Sequence, residues 1–138
     1  MADQVKKVNY VYLTVPNRAG YGARVLGELK DAGVNLLAYS GFPGKRGKAQ
    51  LDLIPENMAA LRRFAKRHDW KISKIKKGFM VQGKDEVGAV HRHINKLAAE
   101  KINITAADAV AAGKNRYGMI LWVKPKDYNR AAKVLRAK

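Results

Sequence analysis

The residues best placed to do chemistry in this chain are the glycines at the start of a helix. Gly20 and Gly22 lack a Cβ, so a ligand can come close to main-chain N–H groups where the helix begins. Those free N–H groups, with the positive end of the helix dipole, suit a carboxylate. Asn35, at the head of the following strand, offers a donor and an acceptor, matching the ammonium and carboxylate of an amino acid. One helix terminus supplies about 0.3–2 kcal/mol, whereas even millimolar binding needs about 4 kcal/mol. A single loop is therefore too weak, and contacts from a facing unit are required. The plainer reading is that Gly20 serves helix packing while Asn17 and Asn35 serve turns.

The arrangement occurs twice. A constant spacing of 68 positions separates Gly20 from Gly88, Leu26 from Ile94, Leu29 from Leu97, Asn35 from Asn103 and Leu36 from Ile104. A gap-free match of glycine, helix core and following strand means two copies of one α+β unit.

The elements that hold these loops follow from periodicity. Val5–Val15 alternates as a strand, with Val11, Leu13 and Val15 on one face and Tyr10, Tyr12 and Thr14 on the other. Pro16–Gly20 is a turn in which Asn17 is placed to cap the helix that runs to about Ala32, and Gly33 ends that helix. Strands Val34–Phe42 and Lys48–Ile54 flank a hairpin turn. Pro55 is expected to open a second helix, with Met58, Leu61, Phe64 and Ala65 inward. Trp70–Lys76 reads as a fourth strand, giving βαββαβ. The second copy repeats strand Gly78–Gln82, helix Gly88–Lys101, strands Ile102–Val110 and Tyr117–Lys124, and a last helix from Pro125. It lacks a fourth strand, so its sheet either has three strands or is completed by another segment; a bare edge favours pairing between repeats or chains. The expected domains are residues 1–76 and 77–138.

Asn17-Arg18-Ala19-Gly20-Tyr21 with Gly33-Val34-Asn35-Leu36, and Asp85-Glu86-Val87-Gly88-Ala89 with Lys101-Ile102-Asn103-Ile104, resemble the signature of the ACT domain, a small regulatory ligand-binding module. Ala19 and Val87 stand where that family usually has proline. The resemblance covers nearly the whole chain as a tandem pair, like small stand-alone ACT proteins. It implies two ferredoxin-like units and a non-enzymatic role in binding an amino acid or similar metabolite. In that family the ligand commonly sits in the loop between the first strand and helix, against a neighbouring unit. By position the ligand-binding candidates are Asn17, Ala19, Gly20, Tyr21 and Asn35, with Asp85, Val87, Gly88, Ala89 and Asn103 as counterparts. The response implied is oligomerisation, as a homodimer, with an enzyme regulated in trans as a further partner. Asp85 and Glu86 replace Asn17 and Arg18, so the first copy is expected to bind carboxylates better.

Composition narrows the alternatives. There is no cysteine, which excludes disulfides, thiolate metal sites and a cysteine nucleophile. No signal peptide or membrane-length apolar run is evident, so the expectation is a soluble, cytoplasmic protein without membrane contact. His91 and His93 are two apart on a helix and cannot share a metal; His93 aligns with Val25 and reads as a structural histidine. His68 reads as a favourable charge at a helix end. Only Ser40 and Ser73 are serines, no Ser-His-Asp grouping can be argued, and Gly41–Gly44 is not a phosphate loop. No catalytic residue, metal site or cofactor is expected.

The net charge of +17 divides almost evenly, +9 over residues 1–76 and +8 over 77–138. It is densest from Arg62 to Lys77 and would attract any polyanion. The competing reading is therefore a basic ferredoxin-like nucleic-acid-binding protein. Lys77-Gly78-Phe79-Met80-Val81 resembles an RNA-recognition element, but it lies on a first strand, not a third. Tyr10, Tyr12, Tyr39 and Phe79 are instead expected to pack an open sheet face against a neighbouring unit.

Overall fold

A computed structural model describes residues 3–138. Strands β1 (Gln4–Pro16), β2 (Leu36–Pro43), β3 (Lys48–Pro55), β4 (Lys76–Lys84), β5 (Ile104–Gly113) and β6 (Arg116–Val123) alternate with helices α1 (Tyr21–Asp31), α2 (Met58–Arg67), α3 (Ala89–Ala99) and α4 (Tyr128–Leu135). The hydrogen-bonded strand order is β2-β3-β1-β4-β6-β5, the ferredoxin-like α+β arrangement that the duplicated sequence implies. Two compact units result: Asn9–Lys76, and the chain up to Val8 together with Lys77–Lys138. Contacts thus group the start of β1 with the second copy, where the sequence grouped all of residues 1–76.

In the first unit, register aligns the apolar rows. Val11 pairs with Leu53 and Leu13 with Leu51. These residues pack on Val25 and Leu29 of α1 and on Leu61 and Phe64 of α2. Helix α1 stops because Gly33 turns left-handed (φ 74°) and the Val34 N–H reaches back to the Leu29 carbonyl at 2.9 Å.

The second unit repeats this with Phe79 opposite Leu121 and Val81 opposite Met119. They pack on Leu97 of α3 and on Ala131 and Leu135 of α4. Its missing strand comes from the other end of the chain. β1 is the second neighbour of β4. Val5 lies in this core. Two bonds of 3.0 Å, Lys7 N–H to the Lys138 carbonyl and Lys138 N–H to the Val5 carbonyl, hold the segment from its far side.

Four local expectations are corrected. Trp70–Lys76 is not a strand before Lys76. The Ser73 hydroxyl, in place of a carbonyl, accepts the Tyr12 N–H at 2.9 Å, which leaves Ser73 N–H to the Tyr12 carbonyl as the main-chain link there. Asn17 does not cap α1. The cap is Gly20, three residues on, in a left-handed conformation (φ 98°) with no side-chain bond. Pro55 closes β3 instead of opening α2; Asn57 is the cap, its side chain accepting the Ala60 N–H at 3.0 Å. Tyr39 and Phe79 are not on the face opposite the helices. Tyr39 pairs with Leu53 and so shares its face, and Phe79 is fully buried, stacked on Tyr128 with ring centroids 4.5 Å apart.

On the opposite face of β3, Asp52 is buried with Gln50 donating to it at 2.9 Å. Burial pushes its carboxyl above the usual 3.8, outweighing the opposing effects of Gln50 and Lys76. Nearby Tyr10 is pushed up to about 12, by burial, by the Asp52 charge and by Tyr12. A raised carboxyl favours the protonated folded state, so ionised Asp52 costs stability at neutral pH, and the cost fades as pH falls through its folded value. Asp52→Asn should therefore raise the urea midpoint at pH 7, with the gain shrinking towards pH 3 or so. Paired urea titrations of both proteins at the two pH values check this; a lowered midpoint at pH 7 would contradict it.

Candidate functional site

Each first strand-to-helix loop is built alike, because a glycine in left-handed conformation starts each helix. Gly88 (φ 82°) caps α3 as Gly20 caps α1, and no side chain caps either helix. The first N–H of each helix is already engaged, Tyr21 N–H by the Arg18 carbonyl at 3.5 Å and Ala89 N–H by the Glu86 carbonyl at 3.1 Å. A hollow lies beside each helix start. In the first copy it is about 220 Å³, lined by Ala19, Gly20, Tyr21 and Arg24. In the second it is about 250 Å³; its walls include Asp85, Glu86, Gly88 and Ala89 from the loop, His91 from the helix and Tyr117 from β6.

The remaining candidates, Asn17, Asn35, Val87 and Asn103, do not line these hollows. Asn17 is exposed outside its hollow, its main-chain N–H bonded to the Gly47 carbonyl at 2.8 Å. Val87 is fully exposed. Asn35 donates to Glu56 across 3.5 Å, and neither Asn35 nor Asn103 lines a hollow. Gly22 has a structural use: a Cβ there would lie 3.4 Å from the Tyr39 hydroxyl.

The two hollows differ in charge. Arg24 lines the first. Its counterpart Arg92 is drawn to Glu86 at 3.1 Å and lies 3.7 Å from Asp3. Asp85 and Glu86 add negative charge to the second hollow.

Sequence reasoning missed the most concentrated polar cluster. One oxygen of Asp3, Oδ2, accepts the Tyr117 hydroxyl at 2.6 Å and lies 2.6 Å from His93 Nε2. The side chains of Asp3 and His93 are each 4% exposed. Gly83 makes room, since a Cβ there would collide with the Asp3 carboxylate. His93 occupies the buried helical position that its alignment with Val25 implied. A polar group at such a position demands a partner, and that demand was the available signal. Nothing local in sequence pointed to Asp3, 90 residues away.

Burial pushes the Asp3 carboxyl up, but hydrogen bonds from Tyr117 and His93 and the charges of Arg92 and His93 outweigh it and hold the group below 3.8. The Tyr117 hydroxyl is pushed above its usual 10 by burial and by Asp3. A depressed carboxyl stabilises fully above its unfolded value and loses that contribution as pH falls through the folded one. The urea midpoint should accordingly fall on acidification below 3.8, and Asp3→Asn should lack that limb. Tyr117→Phe should cost about 1.5–3 kcal/mol at pH 7, the usual worth of a bond to a charged group. Denaturant titrations over that range test both statements.

Strand order and twin loops together define a tandem ferredoxin-like protein with a glycine-capped helix start in each half. No protein-family model matches the chain, and no curated protein matches it significantly. Solved structures do share the fold. A protein from Bacteroides thetaiotaomicron superposes over 97% of this chain and 88% of its own, with a TM-score of 0.76 and 19% identity. The ligand-free regulatory subunit of aspartate kinase from Thermus thermophilus does so over 98% and 93%, with a TM-score of 0.61 and 14% identity. The regulatory subunit of aspartate kinase from Thermus flavus gives 98% and 94%, a TM-score of 0.56 and 16% identity.

Proposed function

We propose that this chain is a non-enzymatic, tandem ACT-type regulatory module. It binds an amino acid or a similar small metabolite at the glycine-capped helix starts and responds through self-association. The observation that carries this reading is the twin geometry itself. Two left-handed glycines, 68 residues apart, each open a helix without a side-chain cap beside a hollow of amino-acid size. The fold shared with aspartate kinase regulatory subunits supports a regulatory role exerted on an enzyme in trans.

Charge favours the first copy for the carboxylate, because Arg24 lines the hollow at the start of α1. In the second copy Arg92 is engaged by Glu86. A second copy of the chain supplies the facing wall that a single loop needs. The outermost strands suit that contact, because β2 carries no charged residue and β5 carries Asp108 alone, in a chain of net charge +17. Val110 on β5 is 69% exposed, and Leu37, Tyr39 and Phe42 on β2 are exposed as well. Lysine is the usual guard of an edge strand, and both strands lack it.

A thermal-denaturation screen against the twenty amino acids and simple organic acids tests the ligand. A true ligand at 100 times its dissociation constant adds about 2.7 kcal/mol, and Arg24→Ala should abolish the shift without lowering the unliganded midpoint. If no compound moves the midpoint, the reading fails. Sedimentation tests the assembly: Leu37→Lys or Val110→Lys should leave a folded monomer in place of the dimer, and a wild-type monomer at every ligand concentration would contradict it.

A further inference from the structure

We infer that the pocket formed by Tyr117, His93, Arg92 and Gly83 is a carboxylate receptor, filled in this structure by Asp3 acting as a tethered ligand. The inference does not rest on the glycine-capped loops, since no main-chain N–H of a helix start takes part. Two hydrogen-bonding groups and one charge converge on Asp3 Oδ2: the Tyr117 hydroxyl at 2.6 Å, His93 Nε2 at 2.6 Å and, as an ion pair, an Arg92 guanidinium nitrogen at 3.7 Å. The other oxygen, Oδ1, occupies the space left by the missing Cβ of Gly83. A hydroxyl, an imidazole and a guanidinium around a carboxylate-shaped space recognise the group, not the aspartate that bears it.

The pocket is specific to the second copy. At a spacing of 68, His93 corresponds to Val25, Gly83 to Val15 and Tyr117 to Ala49, and Arg92 alone has a like counterpart, Arg24. It also has unused capacity, since His93 Nδ1 is buried without a partner.

Asp3 can leave without unzipping the sheet. It precedes β1, which begins at Gln4. The segment behind it is anchored separately by Val5 in the core and by the two main-chain bonds to Lys138. A tethered group acts at an effective concentration of roughly millimolar, so a free carboxylate competes only at or above that level. Exchange would be felt next door, because Tyr117 and Glu86, the partner of Arg92, both line the second hollow.

The test uses Asp3→Ala with sodium formate and acetate as probes. The variant should lose several degrees of thermal midpoint. Formate at roughly ten to a hundred times the millimolar level should recover part of the loss, while sodium chloride or formamide at equal concentration should not. The His93 ring resonances should move saturably with formate, and adding Tyr117→Phe should remove most of the recovery. Equal responses to formate and chloride would overturn the proposal and leave Asp3 as a packing contact. If Asp3→Ala does not fold, the wild-type protein decides: the Asp3 carboxyl carbon resonance should shift with formate and not with chloride, and its failure to move would overturn the receptor. None of these readouts depends on an amino acid binding at Gly20, so failure of one reading leaves the other standing.

Discussion

The second copy cannot close its own sheet, and that constraint shapes the whole chain. A bare edge of β4 would leave main-chain groups unpaired and invite another chain to fill it. The start of β1 takes the place, so one strand of 13 residues serves two units. Its outer end then has to be secured. Val5 in the core and the two main-chain bonds to Lys138 do this. Beside them lies a buried carboxylate, tolerable because hydroxyl, imidazole and guanidinium surround it. Removing one of these groups leaves the carboxylate less well matched, so their contributions are coupled.

Duplication was legible because spacing survives where identity does not. Glycine caps, helix stripes and following strands kept their places, and they suffice for the ferredoxin-like order. Errors arose where one side chain overrides a pattern. Trp70–Lys76 alternates well enough for a strand, yet Ser73 offers its hydroxyl to Tyr12 and the ladder starts only at Lys76. Asn17 is a good capping residue in the wrong place, since the left-handed turn at Gly20 postpones the helix. Tyr39 and Phe79 are typical of open sheet faces, but alternation does not say which face the helices cover; the pairing with Leu53 and Leu121 does. The Asp3 cluster was illegible for another reason, because its members lie far apart in sequence and meet only through the strand order.

The two copies have kept one backbone and diverged in charge. Arg24 and Arg92 hold equivalent positions, yet the first borders a hollow while the second is drawn between Glu86 and Asp3. The two loops thus share a geometry while the charge beside them differs in sign. The even spread of the remaining positive charge contrasts with the two outermost strands, from which lysine and arginine are absent.

The long sequence separation of the contacts that hold β1 also governs the order in which the two halves can form. Asp3 and Tyr117 are 114 positions apart, and Val5 waits for Lys138. Contacts of such separation are slow to form. A nascent polypeptide emerging from the ribosome can assemble Asn9–Lys76 while synthesis continues. Asp3 and Val5 must stay unpartnered until Tyr117 and Lys138 have followed, so the second half closes after the first.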